Sequence, residues 1–205
     1  MCYLDILKDW QTLIGAGIAL VAAVCTIRVM NGQRRDETTR HQHAEKRKKM
    51  SARAAMPDAL NDLAVYADEW ARRLVGPVRT PLDPPTAAIN TLKSVIEFID
   101  DDAAARTFEL VSWYQVHRAR LAHRVPSPPH PEFYDRLYDT ALLKAYVDSL
   151  FEYARNRIDH VATDKPTAEA VLGAVRVPLE VSIFLEEEEH RRRFDELVER
   201  RHAAE

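Results

Sequence analysis

Cysteine is almost absent from this chain. The two present, Cys2 and Cys25, fall within the first 25 residues. The remainder has no disulfide framework, as suits a reducing compartment. Glycine is scarce as well, five in 205 residues, and none forms a phosphate loop or a dinucleotide fingerprint. No serine sits in a Gly-x-Ser-x-Gly context, and no Cys–His pair exists in the body of the chain. These absences leave no nucleophile motif of a known hydrolase pattern. The acidic triplet Asp100–Asp102 lacks the spaced oxygen ligands of a calcium loop. Few glycines and few β-branched runs argue against a sheet protein, whereas abundant Ala, Leu, Arg and Glu favour helix.

Charge is what the segment Gln11–Ile27 lacks. The longer run Trp10–Met30, WQTLIGAGIALVAAVCTIRVM, holds roughly 20 residues, and about 30 Å of helix at that length matches the apolar thickness of a bilayer. A cleaved signal peptide fits less well. Asp5, Lys8 and Asp9 make the leading region net negative, and the small-residue site Val21-Ala22-Ala23 lies inside the apolar run. Val24 beside Cys25 also spoils a lipoprotein cleavage box. The reading is a retained transmembrane helix over residues 11–30, with residues 1–10 outside. Only Lys8 precedes it, and nine lysines and arginines follow by Arg53, so the body is expected in the cytoplasm. Trp10 suits the outer interface and Arg28 the inner one. Gly15, Ala19 and Ala23 form a small-residue face that would admit a second helix, so a homo-oligomer and a membrane-protein partner are both open.

The net charge of −3 conceals an asymmetry. Residues 28–55 carry nine basic and three acidic side chains, which leaves the chain beyond residue 55 strongly acidic. The basic stalk, residues 31–55, would attract anionic lipid at about 1 kcal/mol per basic residue near the surface. A purely topogenic collar is the plainer reading. Nucleic acid is disfavoured, because no aromatic residues interleave the basic ones. Asn31-Gly32 is a plausible break before the stalk.

The remaining chain reads as an antiparallel bundle of four or five helices over residues 56–185, with a charged C-terminal helix over residues 186–205. Pro57 suits a helix start, followed by the stripe Leu60, Leu63, Ala67, Trp70 and Leu74, which ends at Gly76-Pro77. Residues 76–85 hold four prolines and form a loop. Thr86 would cap a second helix with Ile89, Leu92, Ile96 and Ile99 inward. Asp100–Asp102 suit the start of a third, over 103–125, carrying Phe108, Val111, Tyr114 and Leu121. After PSPPHP, a fourth helix over 132–160 has aromatic residues around its whole cylinder, which suggests contact on several sides. Leu143, Val147, Leu150, Ala154, Ile158 and Val161 line one side of it. Asp164 or Thr167 opens the last region, with Leu172, Val175, Leu179 and Ile183 inward and Pro178 splitting or kinking it. The tail from Glu186 keeps only Phe194, Leu197 and Val198 as large apolar residues, so it reads as solvated.

Two Glu-x-x-His matches, Glu187–His190 and Glu199–His202, invite a di-iron reading. They lie on one predicted helix, about 18 Å apart along its axis, whereas such a centre needs facing helices. His41 and His43 sit on a polar segment, and His117 and His123 do not share a face. No catalytic, cofactor-binding or metal-binding residue is assigned, and no cofactor is expected. Trp70, Trp113, Tyr114 and the fourth-helix aromatics read as core.

The residues Asp9, Trp10, Gln11, Thr12, Leu13 and Ile14, with Thr26-Ile27-Arg28 closing the apolar run, resemble a loose set of uncharacterised bacterial single-pass inner-membrane proteins. These pair a Trp-Gln-Thr-Leu N-terminal membrane helix with a charged helical stalk. The resemblance covers about the first 60 residues and implies the bacterial inner membrane. It transfers no activity and no site residue. The expectation is a membrane-tethered adaptor or scaffold acting through protein contacts. The alternatives are a regulatory or signal-relay subunit and a membrane-bound enzyme with an unrecognised helical site.

Overall fold

The computed structural model describes the backbone of residues 3–77, 82–122 and 127–203. Before Gln33 it describes the side chains of Cys25, Arg28 and Met30 alone, and it omits those of residues 35 and 36. All regular structure among the described residues is helical, in agreement with the composition. Two compact units are present, Met1–Lys48 and Lys49–Glu205.

Helix α1, Tyr3–Val75, contributes to both. In the first unit, residues 37–43 and 45–48 are exposed, so the helix there relies on local contacts. Thr38 Oγ1 donates to the Arg34 carbonyl at 2.8 Å, and His41 lies 2.9 Å from Glu45 one turn on. The membrane-spanning reading and the face of Gly15, Ala19 and Ala23 rest on side chains outside the described residues. Among the described residues, no helix is long and apolar enough to cross a membrane.

Two expected interruptions of α1 do not occur. The helix continues through Gly32 and through Pro57. An internal proline costs about 3 kcal/mol. On either side of it, Met56, Leu60 and Leu63 are fully buried, and each such side chain contributes about 1.5–3 kcal/mol. Packing therefore outweighs the lost backbone bond. The anticipated stripe is otherwise present: Leu60, Leu63, Ala67 and Leu74 are buried and Trp70 is partly so. Gly76 ends the helix, its N–H donating to the Arg72 carbonyl at 2.8 Å. A Cβ there would sit 2.9 Å from that carbonyl oxygen.

Helix α2 spans Thr86–Val95 and tightens into a 3₁₀ turn, Ile96–Phe98. Thr86 is its first residue rather than its cap, which is Pro85. The turn rotates Ile96 partly outward and lets Val95 fill the core beside Ile89 and Leu92. Helix α3, Asp101–Leu121, starts at the acidic triplet as anticipated. Its buried face is Ala103, Arg106, Thr107, Leu110, Val111, Tyr114 and His117. Phe108, expected inside, is 65% exposed because Arg106 and Thr107 occupy the inward positions of that turn.

Helix α4, Pro131–Ala154, packs against α3 and against two later helices, α5 (Ala168–Val175) and α7 (Glu188–Ala203). Over residues 137–147 it is buried on every side, and Phe133, Tyr134, Tyr138, Tyr146 and Tyr153 are interior, as its aromatic distribution implies; Phe151 is only partly buried. It ends six residues before the expected boundary. Asn156 takes φ 60°, its N–H donates to the Tyr153 carbonyl, and the Arg157 N–H donates to Glu152. This is a Schellman stop with asparagine in the left-handed position. Ile158 and Val161 consequently leave the helix; Ile158 is 41% exposed.

Thr167 caps α5, its hydroxyl accepting from the Ala170 N–H at 3.2 Å. Pro178 does split the last region, capping α6, Leu179–Phe184. Each short helix then takes its own phase, so the expected single stripe fails. Val171, Val175, Val181 and Leu185 are buried, whereas Leu179 and Ile183 point outward. The tail is not solvated throughout. Phe194, Leu197 and Val198 in α7 are buried, and three apolar residues at i, i+3 and i+4 suffice for one packed face.

Candidate functional site

Charged side chains are rarely buried without partners, so the interior ones mark the places where polar chemistry concentrates. They form two assemblies and one seam, all within Lys49–Glu205.

The first assembly gathers the connection between α4 and α5, residues 155–167. Arg53 on α1 is 6% exposed. It donates to the Tyr153 carbonyl at 2.7 Å, the Ile158 carbonyl at 2.8 Å and Asp159 at 3.2 Å. Its guanidinium stacks 4.1 Å above the Tyr153 ring. Arg106 on α3, 2% exposed, reaches the same connection from the other side through the carbonyls of Ala162 and Asp164. Asp102 accepts from the Val161 N–H at 2.8 Å. That bond lowers its pKa; burial opposes it, and the Ala103 N–H adds to the lowering. Helix geometry explains the division of labour: a long irregular connection leaves carbonyls unpaired, and a guanidinium offers five donors in a fixed fork.

Beside it, one turn before Arg53, Lys49 Nζ lies 2.6 Å from Asp100. The Tyr153 hydroxyl donates to Asp100 at 2.7 Å and accepts from the Asp100 N–H at 3.1 Å. Burial raises the Asp100 carboxyl, but the hydrogen bonds from Lys49 and Tyr153 outweigh it and hold it below the ordinary carboxylate value. Burial and that carboxylate push the Tyr153 hydroxyl up to about 12. Lys49 and Arg53, counted above with the basic stalk, thus serve the bundle. A sequence window cannot separate them from the exposed Lys46 and Arg47, because their partners lie 51 or more residues away.

The second assembly lies between α3 and α4. Asp139, 1% exposed, faces Arg120, whose Nη1 lies 2.7 and 2.8 Å from its two oxygens. Burial raises the Asp139 carboxyl while Arg120 pulls it down. His117, fully buried, meets Thr140 Oγ1 at 3.0 Å through Nε2. Thr140 donates its only hydroxyl proton to the Arg136 carbonyl at 2.9 Å, which assigns the proton on His117 to Nε2. Burial, then the charges of Arg136 and Arg120, lower His117 to about 3. It is neutral at every physiological pH. His117 Nδ1 and Arg136 Nε are buried without a hydrogen-bond partner among the described residues. The rings of Tyr66 and Tyr114 pack edge-on beside them, Tyr66 at 6.1 Å from His117 and 5.8 Å from Tyr114.

The seam joins α4 to α7 and uses both histidines of the Glu-x-x-His matches. His190 Nδ1 lies 2.7 Å from the Tyr134 hydroxyl, and its ring stacks on Phe184 at 4.1 Å. Its other nitrogen faces Glu187 at 3.3 Å. His202 lies 3.4 Å from the Tyr138 hydroxyl, and Arg201 pairs with Asp135 at 2.8 Å. Both histidines face tyrosines rather than carboxylates of another helix. No group of three or more metal-ligating side chains is present among the described residues. His41 and His43 lie on the exposed stalk.

These contacts tie connections and helices to the bundle. The arrangement holds a histidine whose pKa is lowered to about 3, a salt-bridged aspartate and two carbonyl-clamping arginines. Comparison of the chain with family models, curated proteins and solved structures finds no match.

Proposed function

We propose that the chain is a membrane-tethered helical adaptor or scaffold that acts through protein contacts. The tether is the charge-free run Gln11–Ile27, held in a bacterial inner membrane with the body in the cytoplasm. The exposed basic residues Arg34, Arg40, Lys46 and Arg47 face the anionic headgroups. One observation carries the adaptor half of the reading. The buried charged groups Arg53, Arg106, Asp139 and Lys144 are each bonded within the chain, which supports a fold-holding role for them and turns the reading towards the surface.

Continuity of α1 from Tyr3 to Val75 favours a second reading, a signal-relay subunit, in which the same helix carries a change along its length.

The test is crosslinking of the full-length protein in native membranes, followed by purification and identification of what accompanies it, with a form lacking residues 11–30 as control. The expected result is a stoichiometric partner that is lost with the tether. Recovery from the soluble fraction, or without any companion, would sink the adaptor reading. A reporter fused after Glu205 should be active only in the cytoplasm.

A further inference from the structure

Two buried nitrogens between α3 and α4 have no hydrogen-bond partner among the described residues, His117 Nδ1 and Arg136 Nε. Contacts between these helices run antiparallel. Arg106 lies over the Tyr146 ring at 5.1 Å, His117 meets Thr140 at 3.0 Å, and Arg120 meets Asp139 at 2.7 Å. Arg136 comes one turn after Thr140 in that direction, on the face of α4 that meets His117. Thr140 Oγ1 joins the two residues: it accepts from His117 Nε2 and donates to the Arg136 carbonyl at 2.9 Å. After burial, the charge of Arg136 is the next influence on the His117 ring.

The two orphans are opposite in kind. With its proton on Nε2, His117 presents Nδ1 as a bare acceptor, whereas Arg136 Nε is a donor. Charge is unbalanced as well. Arg120 pairs with Asp139 and Arg201 with Asp135, but the Arg136 guanidinium forms no ion pair among the described residues. A partly buried cation without a counter-charge is costly. A direct bond between the two nitrogens, or a water between them, would satisfy both and leave the charge. An oxyanion with lone pairs alone would meet the charge and be repelled by Nδ1.

An oxyanion that carries a hydroxyl meets both demands. We infer that His117 and Arg136 hold one small protonated oxyanion of the hydrogen phosphate or bicarbonate kind. Its charged oxygens accept from the Arg136 guanidinium, and its hydroxyl donates to His117 Nδ1. Arg136 and Arg120 are only partly buried, so the ion enters from their side, and His117, fully buried, forms the floor. The inference stands independently of the tether, since every residue it uses belongs to the bundle.

The test is titration calorimetry of the full-length chain in mild detergent and an amine–chloride buffer at neutral pH, with phosphate, bicarbonate and sulfate at matched ionic strength. Sulfate has the shape of phosphate and no proton to give. The expected result is a single site for phosphate or bicarbonate, with sulfate at least about tenfold weaker. Arg136→Met should weaken that binding at least about tenfold, and Arg136→Lys, which keeps the charge but not the fork, should recover part of it. His117→Phe should abolish the preference over sulfate. Nitrogen NMR of labelled histidine needs no substitution: the His117 Nδ1 resonance should move with the bound ion and stay in place with sulfate. Circular dichroism of each variant confirms that the bundle is intact. No binding of phosphate or bicarbonate would overturn the inference. So would sulfate binding as tightly, or binding that Arg136→Met leaves unchanged, either of which means an adventitious ion only.

Discussion

Removing a single oxygen, Tyr153→Phe, tests whether the Lys49–Asp100–Tyr153 arrangement holds α1, α3 and α4 together. The ring would remain under Arg53, so the cation–π contact at 4.1 Å persists. Two hydrogen bonds disappear, one given to the Asp100 carboxylate at 2.7 Å and one accepted from its N–H at 3.1 Å. A bond to a charged group is worth about 1.5–3 kcal/mol, and a neutral one about 1. Asp100 keeps Lys49 and some solvent, so the lower part of the range applies, about 2 kcal/mol at pH 7. The alkaline limb gives a second, independent signature. Tyr153 titrates near 12 in the fold and near 10 when unfolded. Its folded pKa is raised, so its contribution is complete below pH 10 and is lost as pH rises towards 12. At about 1.4 kcal/mol per pH unit, the wild type loses through this residue stability that the phenylalanine variant does not. The deficit of the variant should shrink between pH 10 and 11. Urea unfolding of the full chain in mild detergent, followed by circular dichroism, measures both. A variant within about 0.5 kcal/mol of wild type at pH 7, or a deficit that does not change with pH, would refute the reasoning.

Three further outcomes follow from the same structure. Arg106→Met should cost about 1–3 kcal/mol, because it removes the donors to the carbonyls of Ala162 and Asp164; hydrogen exchange should rise first across residues 155–167. His117 has a folded pKa depressed to about 3, so the unfolded chain binds the extra proton as pH drops below about 6.5. Stability should fall by about 1.4 kcal/mol per pH unit below that point, a slope that His117→Gln would flatten in urea titrations at pH 7, 6 and 5. Phe194→Ala should cost about 3–5 kcal/mol despite lying in the most charged segment of the chain, since the side chain is fully buried; a thermal shift near zero would return α7 to solvent.

Periodicity carried much of the fold. The α1 stripe, the helix start at Asp100–Asp102, the encircling aromatics of α4 and the break at Pro178 are local patterns with local causes, and each is present. Failures arose where a distant partner or a competing local motif intervened. Pro57 is carried inside a helix by the packing of Met56 and Leu60. The αL conformation of Asn156 cut α4 short, although Ile158 and Val161 keep the helical spacing. Leu179 and Ile183 faced outward once Pro178 had reset the phase of α6. Phe108 yielded its inward turn to Arg106, whose partners on the α4–α5 connection lie 56 and 58 residues away.

By itself the sequence determined the all-helical class, the break at Pro178 and the segregation of charge, because each depends on residues a few positions apart. Tertiary structure alone decided which charges are interior. Lys49 and Arg53 are indistinguishable in composition from their neighbours in the basic stalk, and His117 is one of eight histidines. Contact with other elements gives Lys49 its pairing with Asp100, makes Arg53 a buried clamp and leaves His117 a neutral imidazole. Desolvation and long-range hydrogen bonds exist only after the helices have met.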